Sequence, residues 1–415
     1  MLVSVRELFY GLPIGSTEGI TQMSKAQLVE MARKDLEHGR NGTQDQADGI
    51  HKVPVENYYD PDRWEAEIGK IFRRMPLLLA TTAELKEVGD YKAMVAAGVQ
   101  VFITRTQSGG IKAFVNMCSH RGARLVHEGC GTAHRFSCPY HAWTYNPDGD
   151  LVAIYSADDF GDIDKQDYGL TELPSLEKAG LIWVTLDPKS TLDIDLFLSG
   201  YDSLLAQFGF DHWHYAKNQR VEGPNWKIAY DGYLDYYHLP ILHRETFGTE
   251  IGNKANYYSW GPHTHMGRPD TSYEVFEDLP DDEWPTSKLV AGVWTIFPHI
   301  SIASFAGGGR SVMISQLFPG ATPETSYTNQ IFLMEKAPDT DALKKDAAQQ
   351  FEFLEYVVQE EDYATGIALQ KNLNVGVRDH VLFGKNEGGG QRFHQWVDTL
   401  LETADEDLPK LFQTG

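Results

Sequence analysis

Cysteine is scarce in this sequence: three residues in 415, namely Cys118, Cys130 and Cys138, all in one short stretch. An odd number so confined is a poor disulfide framework and points instead to metal chemistry in a reducing, cytoplasmic setting. Positive charge is also in deficit. Lys and Arg number 36 against 59 Asp and Glu, a formal net charge of −23, which argues against a duplex nucleic-acid binder, because that role needs a cationic footprint. Long apolar runs are missing as well. MPLLLA (75–80) and AMVAAGVQVFI (93–103) fall well short of the ~20 residues that cross a bilayer, so no membrane span is expected. The opening MLVSVRELFYG lacks the basic start, clean apolar run and small-residue cleavage site of a secretory leader. Aromatic residues, by contrast, are plentiful: 20 Phe, 20 Tyr and 9 Trp in a chain that is 42% apolar. Such a chain can fill a core, and general disorder is excluded.

At ~100–200 residues per domain the length implies two or three domains. The pattern divides them at 1–50, 51–188 and 189–415. The first is a helical lead-in expected to pack on the largest domain. Ser24-x-x-Gln27 has the form of a capping box, Leu28, Met31, Ala32 and Leu36 make the apolar face, and Gly39 is placed to end the helix. A second helix is expected from Asp60-Pro61 through Trp64, Ile68, Ile71 and Phe72. From about 77 to 186 the periodicity is that of short strands with turn punctuation: VQVFITRT, a Ser108-Gly109-Gly110 turn, IKAFVNM and GLIWVTL. Beyond 190, helical signals at 192–207, 228–239 and 341–373 flank alternating segments at 293–305, 311–318 and 325–335. The fold class is therefore α+β: a small all-β domain and a larger domain with a sheet packed on helices. The acidic end, ETADEDLPKLFQTG, is expected to be a solvated tail rather than a docking helix.

Two constellations carry chemistry. The first is Cys118-x-His120 followed by Cys138-x-x-His141, in the loops CSHRG (118–122) and CPYHAW (138–143). Two Cys and two His, one of each per loop, suit a Rieske [2Fe–2S] centre, in which two thiolates hold one iron and two neutral imidazoles the other. Replacing thiolates by imidazoles raises the potential to roughly −150 to +300 mV, against about −400 mV for plant-type ferredoxins. Tetrahedral zinc also takes Cys₂His₂, but ordinary zinc fingers pair Cys with Cys and His with His. The loops, together with Pro139, Trp143, Tyr145 and Asp148-Gly149, resemble the Rieske domain of the ring-hydroxylating oxygenase α subunits. Ala142 stands where that family more commonly has Gly. Cys130, between the loops, is expected to be a buried free thiol.

The second is Asp235-x-x-His238-x₄-His243 within NWKIAYDGYLDYYHLPILHRET (225–246). Three residues apart, Asp235 and His238 would share one face of a helix, so the carboxylate could hold the second imidazole nitrogen and fix its tautomer. Pro240 is expected to break or kink the helix before His243. Two imidazoles and a carboxylate form the facial triad of non-haem Fe(II) oxygenases. The segment resembles the catalytic domain of the same family. That resemblance implies that His238 and His243 ligate iron, and that Asp235 serves catalysis by bridging this iron to a Rieske histidine of a neighbouring subunit. For the third ligand, helical projection at about 100° per residue places Glu361 inside the apolar face drawn through Leu354, Val357, Val358, Ala364, Thr365, Ala368 and Leu369, with Asp362 at its margin and Glu360 outside. The pattern alone leans to Glu361. The family's Glu-Asp…Gln pattern, laid on Glu361, Asp362 and Gln370, implies Asp362.

Other candidates have plainer readings. His212-x-His214 and His263-x-His265 lack a neighbouring carboxylate or cysteine and read as surface or core histidines. His299 sits where the family often has a polar residue near the pocket. Arg121, Arg124 and Arg135 lie beside the cluster loops, where they could orient an electron-donor protein.

Taken together, the resemblance implies a helix-grip, START-like catalytic domain and a terminal oxygenase component carrying one [2Fe–2S] Rieske cluster and one mononuclear Fe(II). Its expected reaction uses O₂ and electrons relayed from NAD(P)H to hydroxylate an apolar, aromatic small molecule, as a mono- or dioxygenase. N- or O-dealkylation of an aromatic compound by the same machinery is the alternative, and an electron carrier without oxygenase activity is a third. No Gly-rich dinucleotide fingerprint is present, so a separate reductase, with or without a ferredoxin, is expected as partner. The resemblance also implies a head-to-tail homotrimer, a closed ring of heterologous contacts, with or without a small β subunit.

Overall fold

The first described element is the helix Thr17–Asn41 in a computed structural model that describes residues 17–413. The opening MLVSVRELFYG lies outside the described residues. Leu28, Met31, Ala32 and Leu36 are buried as their spacing requires. Both expected ends of this helix differ. Ser24 lies inside it, where its hydroxyl accepts a hydrogen bond from Gln207, so it is not the residue that opens the helix. The helix also runs past Gly39, and Gly42, at φ +64°, is the residue that takes the left-handed conformation after its end. Gly39 serves a close approach instead: a Cβ there would stand 3.0 Å from the Asp270 nitrogen. Arg33 pairs with Asp281, and Arg40 with Glu274 and Glu277, so this helix lies against the 270–283 loops.

Asp60 caps the helix Pro61–Glu67 by accepting from the Arg63 N–H at 2.7 Å, and a π-helical turn over Ile68–Phe72 continues it. The β region comes next. A five-stranded sheet has the order Glu172–Leu173, Ile111–Val115, Val99–Arg105, Asp90–Ala96, Gly129–Thr132, with a three-stranded sheet built on Leu77–Thr81, Leu181–Val184 and Ser175–Lys178. A third, of Phe136–Ser137, Thr144–Tyr145 and Leu151–Ala153, carries the second cluster loop. Phe102, Phe114, Phe136, Trp143 and Tyr145 form the small core beneath both loops.

The larger region holds a seven-stranded antiparallel sheet. In chain order its strands are β1 (His214–Gly223), β2 (Asn256–Trp260), β3 (His263–Gly267), β4 (Val293–Ile296), β5 (Ile300–Phe305), β6 (Ser311–Pro319) and β7 (Ser326–Met334). The spatial order is β1-β7-β6-β5-β4-β3-β2. The segment expected as one strand over 293–305 is two, because Pro298 brings no N–H to a ladder. A long helix crosses the sheet as Asp341–Tyr356, a π-helical stretch Val357–Tyr363, and Ala364–Leu373. The acidic end is not a solvated tail. Leu408–Gln413 is helical, and Leu408 and Phe412, four apart on one face, are buried. Phe412 meets Phe197 edge-on at 5.4 Å between ring centroids. No helix among the described residues is long and apolar enough to cross a membrane.

Candidate metal centres

The first centre rests on two loops at one end of the small β domain. Cys118 comes after the strand Ile111–Val115, and Cys138 opens the turn between Phe136–Ser137 and Thr144–Tyr145. Both thiols are free and buried. His120 and His141 lie with ring centroids 4.7 Å apart. His120 is stacked on Trp143 at 4.9 Å and 10°, which fixes its plane, and its Nδ1 is buried without a partner among the described residues. The Tyr145 hydroxyl lies 3.3 Å from Cys118 Sγ and accepts the Ser119 N–H. Two unpaired buried thiols, two adjoining imidazoles and an orphaned ring nitrogen are a donor set that fits a Rieske cluster. Ala142, in the left-handed region at φ 53°, occupies the backbone position where Gly carries no steric cost. Cys130 departs from expectation: it is exposed, because the edge strand Gly129–Thr132 turns it outward.

The second centre starts from a buried strap. Asn225 caps the helix Trp226–Asp231, its side chain accepting from the Lys227 N–H at 2.9 Å and donating to the Tyr58 and Pro323 carbonyls. Gln370 accepts from the Asn225 N–H at 3.1 Å, so this side chain ties the long helix to the start of the Asn-Trp-Lys helix. Trp226 Nε1 and Lys227 Nζ both donate to Glu67 Oε2. Breaking such a buried pair on one side leaves an uncompensated charge, a cost of about 3–5 kcal/mol. Asp231, at the helix end, lies 2.9 Å from Nε2 of buried His394 and receives the Tyr58 hydroxyl at 3.2 Å.

The chain then leaves the helix. Asp235 and His238 are not on one helical face; they meet through a turn, in which Asp235 Oδ1 accepts the His238 N–H at 3.1 Å and lies 3.0 Å from His238 Nδ1. Pro240 does not break a helix but sits in the first turn of a new one, Leu239–Leu242, and His243 is its C-cap. His243 Nδ1 lies 2.7 Å from Glu361 Oε2, which also accepts the Thr246 hydroxyl at 2.9 Å. Asp362 Oδ1 lies 3.1 Å from His243 Nε2 and 3.9 Å from His238 Nε2. The ligand atoms of His238, His243 and Asp362 all fall within 4.8 Å of one another. With each Nδ1 held by a carboxylate, each Nε2 is left for a metal, the arrangement that orients ligating histidines. The donor set fits a mononuclear iron.

Glu361 and Asp362 thus divide two tasks that helical projection could not separate. The π-helical stretch over Val357–Tyr363 widens the hydrogen-bond ladder and rotates the later turns of the helix out of phase. Tyr363, Gly366 and Gln370 are buried, while Leu369 is 40% exposed, contrary to the face drawn at about 100° per residue.

His238, His243 and Asp362 stand at the wall of a cavity of about 130 Å³ whose remaining lining is mostly apolar, with Met266, Val293, Ala303, Phe305, Met313 and Val358 among it. Tyr233 and Ser301, which sequence reasoning did not single out, also face it. His299 does not: it is buried against Phe318 and Phe72, and burial pushes its pKa down to about 3. His263 and His265 are core histidines bonded to backbone carbonyls of Phe197 and Ala291, and His212 and His214 are exposed. Arg121, Arg124 and Arg135 lie at the surface, Arg121 over Tyr140 at 5.1 Å. A shallower depression of about 390 Å³ beside Cys130 and Arg135 holds none of the candidate ligands.

Comparison with known proteins adds two family matches: the Rieske [2Fe-2S] domain over residues 75–165 and the ring hydroxylating alpha subunit catalytic domain over 210–403. The glycine betaine monooxygenase oxygenase subunit of Chromohalobacter salexigens is 32% identical over 221 residues, 52% of this chain and 49% of that protein. The anthranilate 1,2-dioxygenase large subunit of Acinetobacter baylyi is 27% identical over 204 residues, 47% of this chain and 43% of that protein. The matches thus span about half the length of these curated relatives. Among solved structures, the quaternary ammonium Rieske monooxygenase CntA with an inhibitor superposes at TM-score 0.72 and 22% identity over 85% of this chain and 96% of that one. Naphthalene 1,2-dioxygenase from Rhodococcus sp., bound to indole, superposes at 0.71 and 20% identity over 94% and 100%. These likenesses show the fold.

Proposed function

Because the chain belongs to the family of Rieske ring-hydroxylating oxygenase α subunits, we propose that it is a terminal oxygenase component that inserts oxygen from O₂ into an apolar, aromatic small molecule. One observation carries the reading. A site of His238, His243 and Asp362, with room for further ligands, opens on an apolar cavity. The family's cofactors are a [2Fe–2S] cluster, which supplies electrons singly, and a mononuclear iron, which activates O₂. In this proposal Cys118 and Cys138 hold one cluster iron, His120 and His141 the other, and His238, His243 and Asp362 the mononuclear ion.

The chain's own residues do the rest. Asp235 and Glu361 hold His238 and His243 by their Nδ1 atoms and keep both Nε2 atoms aimed at one point. Met266, Val293, Met313 and Val358 exclude water from the carbon to be oxidised. In this proposal Asp235, at a partly exposed turn, bridges to a Rieske histidine of a neighbouring subunit in a homotrimer. Electrons come from NAD(P)H through a separate reductase, with or without a ferredoxin, and docking beside the cluster would use Arg121 and Arg124.

A second reading, oxidative N- or O-dealkylation, is favoured by the two quaternary-ammonium enzymes among the relatives and structures. Turnover with a generic reductase across aromatic and N-methyl substrates separates the readings. A phenol or diol supports hydroxylation, formaldehyde supports dealkylation, and NADH loss without either product overturns both.

A further inference from the structure

The sheet carries a polar row across its full width. Antiparallel register places Gln219 of β1 opposite Gln330 of β7, Gln330 opposite Ser315 of β6, and Ser315 opposite Ser301 of β5. Ser301 in turn faces Thr295 of β4, which faces Thr264 of β3. Directly opposed residues share a face, and on this face the neighbouring row is apolar: Phe332, Met313, Ala303, Val293 and Met266. Four of those five line the cavity beside His238 and His243. The polar row is therefore the next layer beneath, and a hydroxyl or amide buried without a partner there is costly.

Some members of the row are satisfied. Thr295 donates to the Thr264 carbonyl at 2.9 Å, and Gln219 Nε2 donates to Gln330 Oε1 at 2.7 Å. Other polar atoms of the row are not, Gln219 Oε1 at its far end among them. Ser301 Oγ, Ser315 Oγ, Gln330 Nε2 and the Tyr233 hydroxyl are all buried with no hydrogen-bond partner among the described residues. Ser301 is 1% and Ser315 and Gln330 are 0% exposed. Tyr233 comes from the turn opposite the sheet, its hydroxyl surrounded by Ser315, Tyr363 and Gln330. Burial pushes its pKa up to about 12, so it stays a neutral donor. Of the four, Tyr233 and Ser301 border the cavity itself. No Lys or Arg is among the described residues that line it, and its carboxylates are Asp235 and Asp362, both engaged with the histidines.

We propose that Tyr233 and Ser301 form an uncharged hydrogen-bonding floor in the cavity, and that the substrate is an aromatic compound bearing a neutral polar group, a hydroxyl, carbonyl or amide, that seats on it. The proposal rests on the reading of the cavity as an aromatic substrate site. A neutral floor gives no counter-charge to a carboxylate, and a plain hydrocarbon would leave its donors and acceptors unmatched. Ser315 and Gln330 stand behind the floor, beside the Tyr233 hydroxyl.

The test compares 4-methylphenol with 1,4-dimethylbenzene, which differ by a hydroxyl in place of a methyl group. Their dissociation constants are measured by equilibrium dialysis against the metal-loaded full chain without O₂, so that no turnover intervenes. The phenol is expected to bind about 10-fold more tightly, the worth of one well-made hydrogen bond. Tyr233→Phe and Ser301→Ala should each reduce that ratio several-fold while the cluster absorbance stays intact. Equal binding of the two probes, or an unchanged ratio in both variants, overturns the floor. If neither aromatic binds while glycine betaine does, the aromatic reading itself is the one that fails.

Discussion

Glu361 and Asp362 are neighbours with the same charge, and their exchange of roles is the sharpest test of the mononuclear site. Asp362 Oδ1 sits on the Nε2 side of both histidines, 3.1 and 3.9 Å away, whereas Glu361 Oε2 sits 2.7 Å from the Nδ1 of His243. Removing the Asp362 carboxylate leaves two imidazoles and no anionic ligand, and Asp362→Ala should lose stoichiometric iron at this site. Glu361→Gln keeps the shape but loses the charge that orients His243. Outer-shell changes of this kind cost about 10–100-fold in metal affinity, or about 1.4–2.7 kcal/mol, so this variant should still fill at higher Fe(II). The assay is anaerobic Fe(II) titration of chain stripped of its mononuclear iron, with the cluster absorbance as internal standard. If Glu361→Gln empties the site and Asp362→Ala fills it normally, the assignment is reversed and the role given to the π-helical turn is wrong.

Particular residues set three further outcomes. Ala142 holds φ 53°, which costs an L-residue about 1–2 kcal/mol, while glycine brings back part of that as unfolded-state entropy; Ala142→Gly should therefore stabilise the cluster domain by about 0.5–1 kcal/mol in thermal unfolding, and destabilisation would contradict this. Burial pushes the Asp35 carboxyl up to about 7 despite hydrogen bonds from Asn256 and Tyr258. The unfolded chain releases that proton near pH 4, so stability falls as pH rises from about 4 to about 7 and then levels. Asp35→Asn should flatten that fall, which is at most about 4 kcal/mol, in denaturant unfolding at pH 5 and 8; an unchanged slope would refute it. Cys130 is the exposed thiol and Cys118 and Cys138 are the buried ones. A thiol reagent should therefore label Cys130 alone in cluster-loaded chain and all three cysteines after denaturation.

The cluster loops were legible because their ligands are local: each loop holds one Cys and one His within four residues, and spacing alone carries the chemistry. His238 and His243 were legible for the same reason, although the geometry joining Asp235 to His238 is a turn rather than a helical face. The third ligand was not readable from periodicity, because a π-helical stretch changes the phase of the helix where the two acidic residues sit. Strands β1, β2 and β3 were missed; their segments, HYAKNQRVEG, NYYSW and HTHMG, lack the apolar runs that mark β6 and β7. Gln370 entered only as part of a family pattern, and its work of joining two helices at the Asn225 cap is a contact across 145 positions of chain. The polar row under the cavity is invisible along the sequence, since it exists only once the register of the strands is known. The C-terminal helix was misjudged because charge outweighed the i,i+4 pair of Leu408 and Phe412.

The central claim is that one chain keeps a redox cluster and a separate mononuclear iron. Iron and acid-labile sulfide are measured together in the wild-type chain and in His238→Ala. The wild type should give about three iron atoms and about two sulfides per chain, two irons in a [2Fe–2S] cluster and one at His238, His243 and Asp362. His238→Ala should give about two irons with the cluster spectrum unchanged. Loss of the spectrum along with the third iron, or stoichiometric zinc in the wild type, would contradict the account.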